Sequence, residues 1–194
     1  LKLDTALIMA IIAVAAVYGT VIVCQQISSD GMAIIPNDPG SKSLNFTSPA
    51  FQNGEMIPPQ YTCQGSDISP PLKWKGVPEE TESLVMIMDD ADAPNGTITH
   101  WVLFNLPPDT RGIPESFTAQ DKLDNGAIQG KNDFGDIGYT GPRPPPGKQH
   151  EYYFRLYAID TKLDLSPGAT KDDVMHALKG HVIDDVELTG TYSR

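Results

Sequence analysis

The stretch Ser83-Leu84-Val85-Met86-Ile87-Met88-Asp89-Asp90 decides the fold. Its large apolar residues run without interruption between polar ends, which is the pattern of a buried strand. Two more stretches read the same way, HWVLFNLP from His100 to Pro107 and YYFRLYAID from Tyr152 to Asp160. Both carry the β-branched and aromatic residues that strands favour. VELTGTYSR, from Val186 to Arg194, reads as a closing strand. Seventeen prolines and seventeen glycines fit a turn-rich β protein better than a helical one.

One helix stands out against this background. Thr170 and Asp173 make a T-x-x-D capping box, Val174, Ala177 and Leu178 fall on one face, and Gly180 supplies the stop. A second helical turn is open at Pro78 to Thr81. There are no internal repeats. Residues 44–194 are therefore expected to form a mainly β domain, a β-sandwich with one or two short peripheral helices.

The segments N-terminal to this domain differ in character. Thr5 to Cys24 holds no charged residue, and as a helix its length spans about 30 Å of hydrocarbon. Residues 1–24 are read as a transmembrane anchor or signal segment. A retained anchor leads, ahead of a cleaved signal and of a lipid-bearing Cys24, which Val23 disfavours. Lys2 precedes the run and the next basic residue is Lys42, so the domain is expected outside the membrane, or secreted if the segment is cleaved. Residues 25–43 read as a flexible stalk.

A formal net charge of −11 argues against nucleic acid and against general attraction to anionic lipid. A domain of about 150 residues buries enough surface to need no metal or disulfide. Cys24 and Cys63 are the two cysteines, and neither belongs to a metal-ligand spacing. No cofactor loop is present.

Two clusters carry chemistry. In MDDADAPNGTITHW, residues 88 to 101, three aspartates fall within four positions at a strand end. Such charges need partners if buried. Pro94 restricts Ala93 and leaves a cis bond open at that peptide. A returning loop would set His100 beside Asp90 or Asp92, where a carboxylate fixes the imidazole's tautomer. In GYTGPRPPPGKQHEYYF, residues 138 to 154, Gly141 and the prolines from Pro142 to Pro146 make a stiff loop. His150 and Tyr152 follow it at strand period, so they share one face. Asn45-Phe46-Thr47 and Asn95-Gly96-Thr97 have the form of glycosylation acceptors.

With these segments in order, the chain resembles the phosphatidylethanolamine-binding protein family, also called Raf kinase inhibitor-like proteins, in its bacterial and archaeal branch. The resemblance runs from Phe46 to Arg194 through FTSPAFQNGEMIPPQYTCQGSDISPPLKWKGVP, SLVMIMDDADAP, HWVLFNLP, KNDFGDIGYTGPRPPPGKQHEYYFRLYAID and GHVIDDVELTGTYSR. It implies a β-sandwich with a shallow pocket for phosphate-like groups, including phospholipid headgroups. Carried over by motif, the pocket residues are Asp90, Asp92, His100, Gly141, Pro142, Arg143, Pro144, His150 and Tyr152.

Two departures from the family pattern stand out. Ala91 replaces the proline of D-P-D-A-P, and Arg143 stands where the G-P-C-P-P loop has cysteine. Arg143 either donates to a bound phosphate or points to solvent. The chain stops soon after the last strand, without the C-terminal helix of animal relatives, so the pocket is expected to be open. The expected mechanism has neutral or protonated histidines offering N–H donors to an anion, with Tyr152 and loop backbone completing the shell and the aspartates behind. Non-enzymatic binding of a small phosphate-bearing anion leads. Inhibition of a protease or kinase by protein contact is the alternative. A hydrolase using Asp90, His100 and His150 as acid and base is third.

Overall fold

The computed structural model describes residues 43–194. The expected anchor over residues 1–24, and the stalk up to residue 42, lie outside the described residues. Among those described, no helix is long and apolar enough to cross a membrane.

Among the described residues eight strands form, in chain order β1 (Asn45–Thr47), β2 (Leu72–Lys75), β3 (Ser83–Asp90), β4 (Ile98–Leu106), β5 (Gly112–Ile113), β6 (Ile128–Gln129), β7 (Gln149–Ile159) and β8 (Val182–Ser193). They build two antiparallel sheets, ordered β1-β2-β5 and β6-β4-β3-β7-β8, and neither closes on itself. Phe46, Leu72, Trp74 and Ile113 of the small sheet share one core with Met86, Met88, Leu103, Phe154 and Leu156 of the large one. The opposite face of the large sheet packs Val85, Ile87, Val102 and Phe104 against Val174 and Leu178 of the helix α1 (Lys171–Leu178). β3 is thus central in its sheet and covered on both faces. Every one of its residues is buried, which is why its apolar run does not alternate with polar residues.

The capping box forms as the sequence predicts. Thr170 Oγ1 accepts from the Asp173 N–H, and the Asp173 carboxylate accepts from the Thr170 N–H at 2.9 Å. Pro78 to Thr81 makes only a hydrogen-bonded turn, Thr81 N–H to the Pro78 carbonyl. A 3-10 turn forms instead at Pro59–Tyr61. β8 begins at Val182, four residues before the predicted closing strand, because Asp184 and Asp185 pair with Ala158 and Tyr157 of β7. Two-residue strands such as β5 and β6 are too short to show a period. No described peptide bond is cis, so Ala93–Pro94 is trans.

The β3–β4 ladder is irregular at two points, between Leu84 and Met86 and, at the end that carries the site, between Met88 and Asp89. Met88 pairs with Trp101, yet the next residue of β3, Asp89, pairs with Thr99. His100 is therefore an extra residue in β4, a β-bulge next to the strand's start. Bulges interrupt alternation and re-aim a side chain.

Candidate functional site

The site assembles at the Asp90 end of β3. Asp90 stands opposite Tyr152 in the β3–β7 ladder, and His150 lies two residues before Tyr152 on the same face. The Nδ1–H of His150 donates to both Asp90 oxygens, at 2.8 and 3.1 Å, and the pair is buried. Asp90 Oδ1 also accepts the Asp92 N–H at 3.0 Å. Asp92 turns outward and ties its loop to β7 by accepting the Glu151 N–H at 2.8 Å. Both carboxylates thus accept hydrogen bonds from loop or strand N–H groups.

The bulge delivers His100 to this face. Its ring meets Tyr152 edge to face at 5.3 Å between centroids. Its Nδ1 contacts the Thr140 carbonyl at 2.6 Å. The sequence predicted a carboxylate beside His100. The structure gives that carboxylate to His150 and a backbone carbonyl to His100, because Asp90 faces β7 in register while the loop of Thr140 runs along β4.

This partner choice fixes the tautomers. A carbonyl only accepts, so His100 carries its hydrogen on Nδ1, and in the neutral ring Nε2 is a bare acceptor. The Asp90 carboxylate imposes the same tautomer on His150. Neither Nε2 has a hydrogen-bond partner among the described residues. Neutral histidines held this way offer no N–H to an anion, which corrects that part of the expected mechanism. Donation from Nε2 to an anion requires the imidazolium form. Burial holds the His100 imidazole below its ordinary range, with the bond to Thr140 and the charge of Asp90 acting in the opposite sense.

Between the rings lies the Tyr152 hydroxyl. It is fully enclosed, beside the Asp90 carboxylate and the Arg143 backbone, and none of the described residues meets it in good hydrogen-bond geometry. Burial, and then the nearby Asp90 carboxylate, push its phenol far above the ordinary value, so it is a neutral O–H donor.

The proline loop forms the wall. Gly141 is required by close approach: a Cβ there would meet the Tyr61 carbonyl at 2.4 Å and Asp67 Oδ1 at 2.5 Å. Its N–H donates to Asp67 Oδ1 at 2.7 Å. The Pro142 carbonyl accepts from the Cys63 N–H, and the Pro144 carbonyl accepts from Arg194 Nε at 2.7 Å. The loop is thus held in place by bonds from three other segments.

Arg143 is exposed at the edge of the loop. Its Nη2 pairs with Asp67 Oδ2 at 3.2 Å, and its guanidinium lies over the Phe134 ring at 5.2 Å. Phe134 in turn meets His100 edge to face at 5.0 Å.

A model of the phosphatidylethanolamine-binding protein family matches residues 47–193. The chain belongs to this family. The UPF0098 protein of Methanothermobacter thermautotrophicus is 52% identical over 151 residues, covering 78% of this chain and 99% of that relative. A UPF0098 protein of Pyrococcus horikoshii is 49% identical over 167 residues, covering 84% of this chain and 83% of the other. Among solved structures, a Chlamydia trachomatis homologue described as a putative phosphatidylethanolamine-binding protein superposes with a TM-score of 0.73 at 41% identity, covering 79% and 99% of the two chains. Escherichia coli YbcL, described as a member of the mammalian family, gives 0.73 at 32% identity, covering 78% and 99%. The matched region covers 99% of the first relative and of both solved chains.

In this family member the sequence reading missed three organising residues. Asp67 holds both Gly141 and Arg143 from a left-handed backbone at φ 55°. Asn132 is buried and spans the loop: Nδ2 donates to the Gly138 carbonyl and Thr140 Oγ1, and Oδ1 accepts from Phe134 and Asp136 N–H. Phe134 bridges His100 and Arg143. The available signals were a lone Asp in the Gly-Ser-Asp turn and a lone Asn before Asp-Phe-Gly, both turn residues with many other readings. Among the described residues, no three His, Cys, Asp or Glu side chains gather as metal ligands do.

Proposed function

We propose that this domain is a non-enzymatic binding module for a small phosphate-bearing anion, held at His150, His100 and Tyr152. The observation that carries this is the pair of histidines around Tyr152, each tied back through Nδ1, His150 to Asp90 and His100 to the Thr140 carbonyl, with Nε2 left without a hydrogen-bond partner among the described residues. A ligand group at these two Nε2 atoms would complete their hydrogen bonding. Asp90 supports His150 from behind, keeping its imidazolium neutralised while Nε2–H faces the anion. His100, neutral with Nε2 as acceptor, suits a ligand hydroxyl. Binding rather than turnover is inferred because no described hydroxyl or thiol bonds either Nε2, so no nucleophile is activated. In the cell we place the domain outside the membrane, tethered by Thr5 to Cys24.

The test is calorimetric titration of the domain, purified without phosphate, with sulfate, which keeps its charge, from about pH 8 to about pH 5.5. Affinity should rise on acidification, and His150→Ala should abolish the rise. Equal affinity at both ends would refute the histidine role.

A further inference from the structure

The geometry points to Arg143 as the residue that selects a phosphomonoester dianion over a phosphodiester, by swinging from Asp67 onto the ligand's second charge. This rests on the phosphate-binding reading above and names the ligand class for it.

Four observations support the assignment. First, the guanidinium stands at the rim of the site, separated from His100 by the Phe134 ring. Second, its present partner is weakly held. Arg143 and Asp67 touch through one contact of 3.2 Å, with side chains 45% and 35% exposed. Exposed pairs of this kind contribute little, so exchanging Asp67 for a dianion is easy. A planar guanidinium also matches two phosphate oxygens at once, which a single carboxylate contact does not use.

Third, moving Arg143 leaves the wall intact. Asp67 holds Gly141 through Oδ1, whereas Arg143 uses Oδ2, and the Cys63, Arg194 and Gly141 bonds are independent of the guanidinium. Phe134 offers the cation a flat rest in either position. Fourth, the charge around the rings leaves room for a cation to matter. His150 is already paired with the Asp90 carboxylate, and Arg143 is the cation whose charge reaches the His100 ring. A second ligand charge would meet it first. Phosphomonoesters carry that second charge above about pH 6, and diesters never do.

The experiment measures Kd for phenyl phosphate, a monoester, and dimethyl phosphate, a diester, on the full chain at about pH 7.5. The unmodified protein should favour the monoester by about tenfold or more. Arg143→Met should remove most of that preference while leaving diester binding within about twofold. Asp67→Asn keeps the acceptor for Gly141 and tolerates the left-handed backbone, but drops the charge that competes for Arg143. It should strengthen monoester binding, and its melting temperature reports whether the loop is intact. An unchanged monoester-to-diester ratio in Arg143→Met overturns the role of Arg143 and leaves the phosphate-binding reading standing. If neither compound binds the unmodified protein, both fall.

Discussion

Asp89 and Asp90 are neighbours at the end of one strand, both buried, and they face opposite sides of the same sheet. Asp89 points to the helix side. There it meets Lys171 Nζ at 2.7 Å, Arg155 Nη1 at 3.3 Å and Thr99 Oγ1 at 3.1 Å. Two permanent cations and a hydroxyl leave it nothing to do but hold α1 and β7 together. Asp90 points between the sheets. It meets one titratable ring and one backbone N–H, next to the enclosed Tyr152 hydroxyl. Asp89 is saturated by fixed cations, whereas Asp90 is spent on orienting a ring whose other nitrogen is left without a described partner. Sequence alone gives both the same letter.

The division of labour between the two carboxylates is tested most directly at Asp89. Asp89→Ala strands Lys171 and the buried Thr99 hydroxyl, while Arg155 keeps Glu187, and should cost about 1–3 kcal/mol in urea unfolding. Sulfate affinity of the folded protein should stay within about twofold of the unmodified value. A stable Asp89→Ala domain that has lost its anion would reverse the two roles. Asp90→Asn should do the opposite. Its amide still accepts from His150, so stability changes little, but sulfate affinity should fall about tenfold, about 1.4 kcal/mol.

Tyr152→Phe separates stability from binding at a single atom. Removing a buried hydroxyl that meets no described residue in good geometry should leave stability within about 1 kcal/mol while weakening sulfate binding severalfold. The smallest effect is a slope with pH in the anion-free domain. Burial holds His100 below its ordinary 6.5 in the folded state. The unfolded chain therefore takes up that proton first. Stability from the neutral ring is full above pH 6.5 and is lost as pH falls through the folded value. The urea midpoint should decline over that window, and His100→Gln should flatten the decline.

Much of this was legible in the sequence. Local signals sufficed for β3, for the β7 pair His150 and Tyr152, and for α1, whose capping box is four residues long. Period 2 places His150 and Tyr152 together whatever they pack on. The rest depends on pairing between distant segments. Nothing near His100 announces that it is the unpaired residue of β4, since a bulge is a property of two strands in register. Asp67 lies 74 residues from the Gly141 it holds. Arg143 sits in a stretch that reads equally well as a rim donor or a solvated turn, until Phe134 and Asp67 are seen around it.

The bulge makes the site depend on the parity of one strand. Deleting a single residue from β4 near Thr99 would remove this bulge, leave the ladder from Trp101 onward with its second irregularity, and turn a different side chain toward Tyr152. Such a deletion should abolish sulfate binding in a domain whose sheet still forms.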